Sequence, residues 1–164
     1  MTFEEIIGKI NLQFGESFLE EIQSEIKQPC VVVQPQNLYG LCKFLQQTEG
    51  LYFDFLACVS GIDNGEKKGT MEVVYHLSSL PLEHSFVIRV VIARDLDNLQ
   101  AIPSIASLWR TADWHEREAY DLFGIPFSDH PDLRRILLPN DWEGHPMRKD
   151  YKEQEYYHGI TVKY

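Results

Sequence analysis

Residues 51–93 read LYFDFLACVSGIDNGEKKGTMEVVYHLSSLPLEHSFVIRVVIA, and this stretch decides the fold class. Residues 51–62, 70–77 and 85–93 are rich in β-branched and aromatic side chains, which suit a pleated, half-buried surface. The run DNGEKKG at 63–69 is a polar turn, and Pro81 marks the second break. The three runs therefore read as an antiparallel meander. Arg89, between Ile88 and Val90, is expected on the outward face of that sheet.

Upstream, Thr2 and Glu5 have capping-box spacing, and Phe3, Ile6, Ile7, Ile10 and Phe14 recur with helical period. Gly15 interrupts. Phe18, Leu19, Ile22 and Ile26 predict further amphipathic helical turns, with Glu16, Glu20, Glu21 and Glu25 on a solvated face. A short β run follows over 30–33. Pro35 then opens a helix that buries Leu38, Leu41, Cys42 and Leu45 and closes at Gly50.

Downstream, Pro103 predicts a short helix to Trp109. Asp113 is expected to cap the next helix, with Glu116 at the capping-box position and Gly124 as its C-terminal stop. After Gly124 the character changes. Four of the eight prolines (Pro126, Pro131, Pro139, Pro146) fall there, which largely excludes regular structure. Yet Phe127, Leu133, Ile136, Leu137, Leu138, Trp142, Met147 and Tyr151 need something to pack on. The expected organisation is a body over 1–124 and an extended docking strap over 125–164.

The formal charge of −10 disfavours a nucleic-acid surface, which needs a basic patch. Basic residues gather in the strap, where 134–152 holds five against three acidic ones; such asymmetry fits protein partners. The three cysteines, Cys30, Cys42 and Cys58, form no C-x-x-C pair, so a disulfide framework, a zinc site or an iron–sulfur cluster within the chain is not expected. The start lacks the basic and apolar regions of a signal peptide, and no apolar run approaches the ~20 residues that span a bilayer. The chain is expected to be soluble, or held to a membrane by a partner.

Glycine-rich phosphate loops and a nucleophile elbow are absent. Glu116 and Glu118 could form a general acid/base pair, but residues two apart on a helix face different ways. A structural reading pairs Arg117 with Asp121 at i,i+4 instead. His115, Glu116, Glu118, His130 and Asp132 would be the residues of a metal-dependent enzyme, although their spacing matches no ligand pattern. Asp132, Arg134, Arg135, Arg148, Lys149 and Asp150, interleaved with Leu137, Trp142 and Tyr151, fit a protein interface better.

Three ordered blocks carry a family resemblance: EREAYDLFG at 116–124, HPDLRRILLP at 130–139 and DWEGHPMRKDY at 141–151. Together they resemble the C (30 kDa) subunit of complex I, the respiratory NADH-quinone oxidoreductase. FDFL at 53–56 and Gly61-Ile62-Asp63 look like that family's central strand, so the resemblance covers roughly 51–151. Met147 stands where the family often has leucine, a volume-conserving change. The end at Tyr164 suggests no fusion to the quinone-site D subunit and no long tail.

The resemblance implies an α+β fold: a two-layer domain with a mixed, mainly antiparallel sheet and helices on one face. It implies a non-catalytic structural subunit of the peripheral arm of a proton-translocating, NAD-linked electron-transport complex. FMN and Fe-S clusters would lie in partner subunits, with no cofactor, metal or catalytic residue here. The partners would be the D (49 kDa) and B subunits, at the cytoplasmic face of the bacterial inner membrane. The expected partner interface comprises Glu116, Arg117, Glu118, His130, Asp132, Arg134, Arg135, Trp142, Glu143, Arg148, Lys149, Asp150 and Tyr151. The rival is the equivalent subunit of an energy-converting hydrogenase or another donor:quinone complex.

Overall fold

A computed structural model describes residues 1–162. Residues 163 and 164, the end of the expected strap, lie outside the described residues. Helix α1 (Phe3–Phe14) starts on the capping box: the N–H of Glu5 donates to Thr2 Oγ1, and the N–H of Thr2 donates to Glu5 Oε2 at 2.8 Å. Two otherwise free donors are satisfied at once. Gly15 ends the helix at φ +90°, a conformation that side chains resist.

Between Gly15 and Pro35 the chain does not return to helix. Strand β1 (Glu21–Gln23) pairs antiparallel with β2 (Cys30–Val33). The apolar spacing of 18–26 predicted helical turns, but the N–H of Glu20 donates to the Val32 carbonyl at 2.9 Å and the segment becomes a sheet edge. Tertiary pairing here outweighs a weak local periodicity. Helix α2 (Pro35–Gln47) has Pro35 in its first turn and buries Leu38, Leu41, Cys42 and Leu45 completely. It stops at Thr48, short of Gly50.

Strands β3 (Phe55–Asp63), β4 (Thr70–Ser79) and β5 (His84–Ala93) form the expected meander. The strand order is β1-β2-β5-β4-β3; only the β2–β5 pairing is parallel, so the sheet is mixed and mainly antiparallel. One face carries Met71, Val73, Tyr75 and Leu77 from β4 and Phe86, Ile88, Val90 and Ile92 from β5, all buried. Ile6, Ile7 and Ile10 of α1 and the α2 stripe join the same core. Arg89 lies on the other face, where it is not simply solvated: it pairs with Glu72 and donates to Gln23 Oε1 at 2.8 Å.

The expected helix from Pro103 is replaced by strand β6 (Ile102–Pro103) and a turn closed by Leu108 N–H on the Ile105 carbonyl. Helix α3 (Arg110–Phe123) is capped at Trp109, four residues before the expected cap Asp113, with no side-chain cap bond. Trp109 is fixed instead by its indole N–H, which donates to the Phe53 carbonyl at 3.1 Å. Helix α3 lies on the core face of β3. A Cβ on Gly61 would stand 2.7 Å from the Phe123 ring, so that position must be glycine for the helix to sit so close. Strand β7 (Phe127–Ser128) pairs parallel with β6, and β8 (Tyr156–Tyr157) pairs with β9 (Ile160–Thr161) as a terminal hairpin. The fold is thus α+β, with helices packed on one face of a five-stranded sheet. No helix among the described residues is long and apolar enough to cross a membrane.

Candidate partner interface

The strap is organised by one residue of α3. Asp121 is fully buried, and its Oδ2 accepts the backbone N–H groups of Ile136, Leu137 and Leu138 at 2.8–3.0 Å. Its Oδ1 accepts from Arg135 at 2.7 Å. Burial alone would push this carboxyl up; the Leu138 N–H, the Arg135 guanidinium and the other two N–H groups reverse the shift and hold it below its ordinary value. Residues 129–155 of the strap have no regular secondary structure and so leave backbone donors unpaired, and this carboxylate supplies the acceptor for three of them. Arg135 extends the network by donating to the carbonyls of Trp142 and Gly144.

Arg117 does not pair with Asp121. Its Nε and terminal nitrogen donate to the carbonyls of Arg134 and Arg135, both at 3.1 Å, because Asp121 points inward and is already saturated. His145 Nδ1 donates to the Asp121 carbonyl at 2.8 Å, and Arg148 Nε donates to the Phe123 carbonyl. Both side chains lie over Gly124, which sits at φ +76° as the helix C-cap. A Cβ there would collide with the His145 ring and the Arg148 guanidinium.

A second latch ties the strap to the sheet. Asp63 at the end of β3 accepts from Arg94 through both oxygens, at 2.7 and 3.1 Å, and its Oδ2 also accepts the backbone N–H of Lys149 at 2.8 Å. Arg94 also pairs with Asp150 of the strap. Burial works to raise the Asp63 carboxyl, but Arg94 and the N–H groups of Lys149 and Gly65 hold it down at about 2.

Glu116 is the remaining buried carboxyl. It is fully inside, with Oε2 accepting from Ser104 Oγ at 2.6 Å and Oε1 from the Ile105 N–H at 2.8 Å. It therefore anchors the 102–105 segment rather than capping α3. Burial pushes it up to about 7, with the Asp113 carboxylate adding to the rise and the Ser104 and Ile105 bonds opposing it. The His130 ring, its side chain fully buried, sits 3.7 Å from Glu116 Oε2. His130 Nδ1 accepts from the Asp132 N–H, which leaves Nε2 to donate to the Asp113 carbonyl at 3.1 Å.

The thirteen expected interface residues thus separate. Glu116, Arg117, His130, Arg135, Arg148 through its Nε and the backbone of Lys149 hold the chain to itself. Trp142 and Tyr151 join through an indole N–H to hydroxyl bond of 3.1 Å. Glu118, Asp132, Arg134, Glu143 and Asp150 are exposed, with Arg134 paired to Asp132. Leu137, Met147 and Trp114 are 61%, 55% and 67% exposed. His115, Glu116, Glu118, His130 and Asp132 do not converge, and among the described residues no group of three or more His, Cys, Asp or Glu side chains is placed to hold a metal. Sequence reasoning missed Asp63, Arg94, Ser104 and His145 as anchors, and Asp121 as the hub. Asp121 lies inside the ERE block, which was the available signal; the Asp63–Arg94 pairing left none.

These features define an α+β module with an irregular segment latched along one helix. Family comparison then gives its membership. The family described as respiratory-chain NADH dehydrogenase, 30 Kd subunit, matches residues 31–157, and the chain belongs to it. It is 43% identical over 157 residues to the C subunit of the NADH-quinone oxidoreductase of Chloroherpeton thalassium, covering 94% of this chain and 63% of that one. To the C subunit of the Chlorobium phaeobacteroides oxidoreductase it is 51% identical over 122 residues, 74% of this chain and 71% of that one. The chain thus spans less than two thirds of the first relative's length. Among solved structures, a chain from the membrane-bound sulfane sulfur reductase, an archaeal respiratory membrane complex, shares the fold with a TM-score of 0.74 at 23% identity, over 91% of this chain and 85% of that one. Homologues of this chain are subunits of a multi-subunit respiratory complex.

Proposed function

We propose that the chain is a non-catalytic structural and assembly subunit of the peripheral arm of a respiratory NADH:quinone oxidoreductase. In this reading the body over 1–124 is a rigid support and the strap over 125–164 docks on the D and B subunits at the cytoplasmic face of the membrane. FMN and Fe-S centres in other subunits carry electrons from NADH to quinone, coupled to proton translocation, and this chain holds none of them. The observation that carries the reading is the Asp121 hub: it fixes the irregular part of the strap by its backbone, while Leu137 and Met147 there stay exposed. Rigidly presented apolar side chains beside arginines are what a protein interface uses.

Deletion of residues 134–151 tests this. The expected result is loss of the chain from the large membrane complex; unchanged assembly would sink the reading. The fold shared with the sulfane sulfur reductase chain supports a second reading, the equivalent subunit of an energy-converting hydrogenase or another donor:quinone complex. Fold alone does not assign the donor. An NADH-oxidation stain of the purified complex separates the two, because the second reading expects a large complex without that activity.

A further inference from the structure

Arginines 89, 94, 134 and 135 each have a carboxylate: Glu72, Asp63 with Asp150, Asp132 and Asp121 respectively. Among the described residues Arg110, Arg117 and Arg148 show no such ion pair; Arg110 is exposed and Arg117 is spent on the Arg134 and Arg135 carbonyls, which leaves Arg148. Its Nε donates to the Phe123 carbonyl, and its two terminal amino groups have no protein acceptor among the described residues. The side chain is partly buried and rests in the slot that Gly124 leaves open, beside the His145 ring. The carboxylates that act on it electrostatically, Asp150 and Asp63, are both committed to Arg94, which itself adds a like charge nearby. Burial accordingly drives the Arg148 guanidinium below its ordinary value. Its terminal amino groups are open to solvent and free to meet a ligand, and a carboxylate is the group that matches their planar fork.

The surroundings point outward. Gly144, His145, Arg148, Tyr151 and Lys152 line an open concavity on the strap. Lys152 is exposed and adds a second cation. Glu143 and Asp150 border the same concavity, but Asp150 is neutralised by Arg94. We propose that Arg148 is the receptor for an aspartate or glutamate side chain of the neighbouring subunit, received in this concavity. The inference rests on the docking role proposed above and names the charge the partner must present. The anchoring at Phe123 fixes the guanidinium before the partner arrives, so little side-chain entropy is lost on pairing.

The test uses the intact membrane complex carrying the tagged chain. If the wild-type chain does not co-purify with other subunits, the docking role fails and not this inference alone. With the wild-type complex in hand, Arg148→Glu is expected to weaken retention of the chain against salt by about 30-fold or more, the loss typical of breaking a desolvated charge pair. Arg148→Lys keeps the charge and supplies an amine that couples to a carbodiimide-activated carboxylate. Zero-length cross-linking of the R148K complex is expected to join that position to an acidic residue of another subunit. Wild-type salt resistance in R148E would overturn the proposal. So would an R148K cross-link running only to Glu143 or Asp150 of the same chain, or none at all. If R148E does not accumulate, the R148K cross-link decides alone.

Discussion

Asp121 Oδ1 and the Arg135 guanidinium meet at 2.7 Å, with the Asp121 side chain fully buried and Arg135 16% exposed. The same carboxylate accepts three consecutive strap N–H groups. One side chain thus converts a proline-interrupted segment into a fixed surface. Asp121→Ala leaves those donors and the guanidinium unsatisfied, and is expected to destabilise the chain by about 3–5 kcal/mol. Denaturant unfolding measures the loss, and limited proteolysis should show cleavage moving into residues 134–151.

The sheet latch should respond unequally at its two ends. Asp63 and Arg94 are 1% and 5% exposed, whereas Asp150 is 38% exposed. Arg94→Met strands a buried carboxylate and should cost about 3–5 kcal/mol. Asp150→Asn removes a half-solvated partner and should cost no more than about 1 kcal/mol. Comparable losses for the two variants, measured by unfolding, would contradict this assignment.

Two carboxyls set opposite pH trends. Glu116 is raised from 4.5 to about 7, so the folded chain binds its proton more tightly than the unfolded chain does. Its stabilising contribution is full below pH 4.5 and disappears as the pH rises through about 7. Asp63 is lowered from 3.8 to about 2, so its contribution is full above pH 3.8 and is lost as the pH falls towards 2. Stability should therefore decline from about pH 5 to about pH 7.5 in the native chain. Glu116→Gln keeps an acceptor for Ile105 and is expected to flatten that decline; thermal midpoints taken across this range give the comparison.

Gly124→Ala should loosen the strap where it leaves α3. Gly124 sits at φ +76°, and its missing Cβ leaves the space for His145 and Arg148. The left-handed conformation alone costs about 1–2 kcal/mol for a side chain, and displacing the His145 and Arg148 side chains adds to it. Hydrogen exchange should rise at residues 145–149 while β4 and β5 stay protected.

How far the sequence reveals these features depends on whether the deciding interaction is local. The α1 capping box needs only Thr2 and Glu5, and β4 and β5 show their two-residue alternation directly, as in Met71, Val73, Tyr75 and Leu77. Gly124 was legible as a helix stop for the same reason. Residues 21–23 were misread because their pairing with β2 is not encoded in their own spacing. Residues 102–103 went the same way: the N–H of Ile102 donates to the Pro126 carbonyl, across the whole of α3. The strap blocks were recognisable as a family pattern, but their inward and outward faces were not. Whether Arg117 meets Asp121 or the carbonyls of 134 and 135 depends on where the strap lies.

The proposed docking of the latched strap on a respiratory complex has a direct test. The most direct measurement is a mild-detergent purification of the tagged chain from host membranes, resolved on a native gel and stained for NADH oxidation. Docking on the complex predicts co-migration with a large, NADH-oxidising band that contains iron–sulfur subunits. A chain that migrates alone, with no other subunit retained, would contradict it.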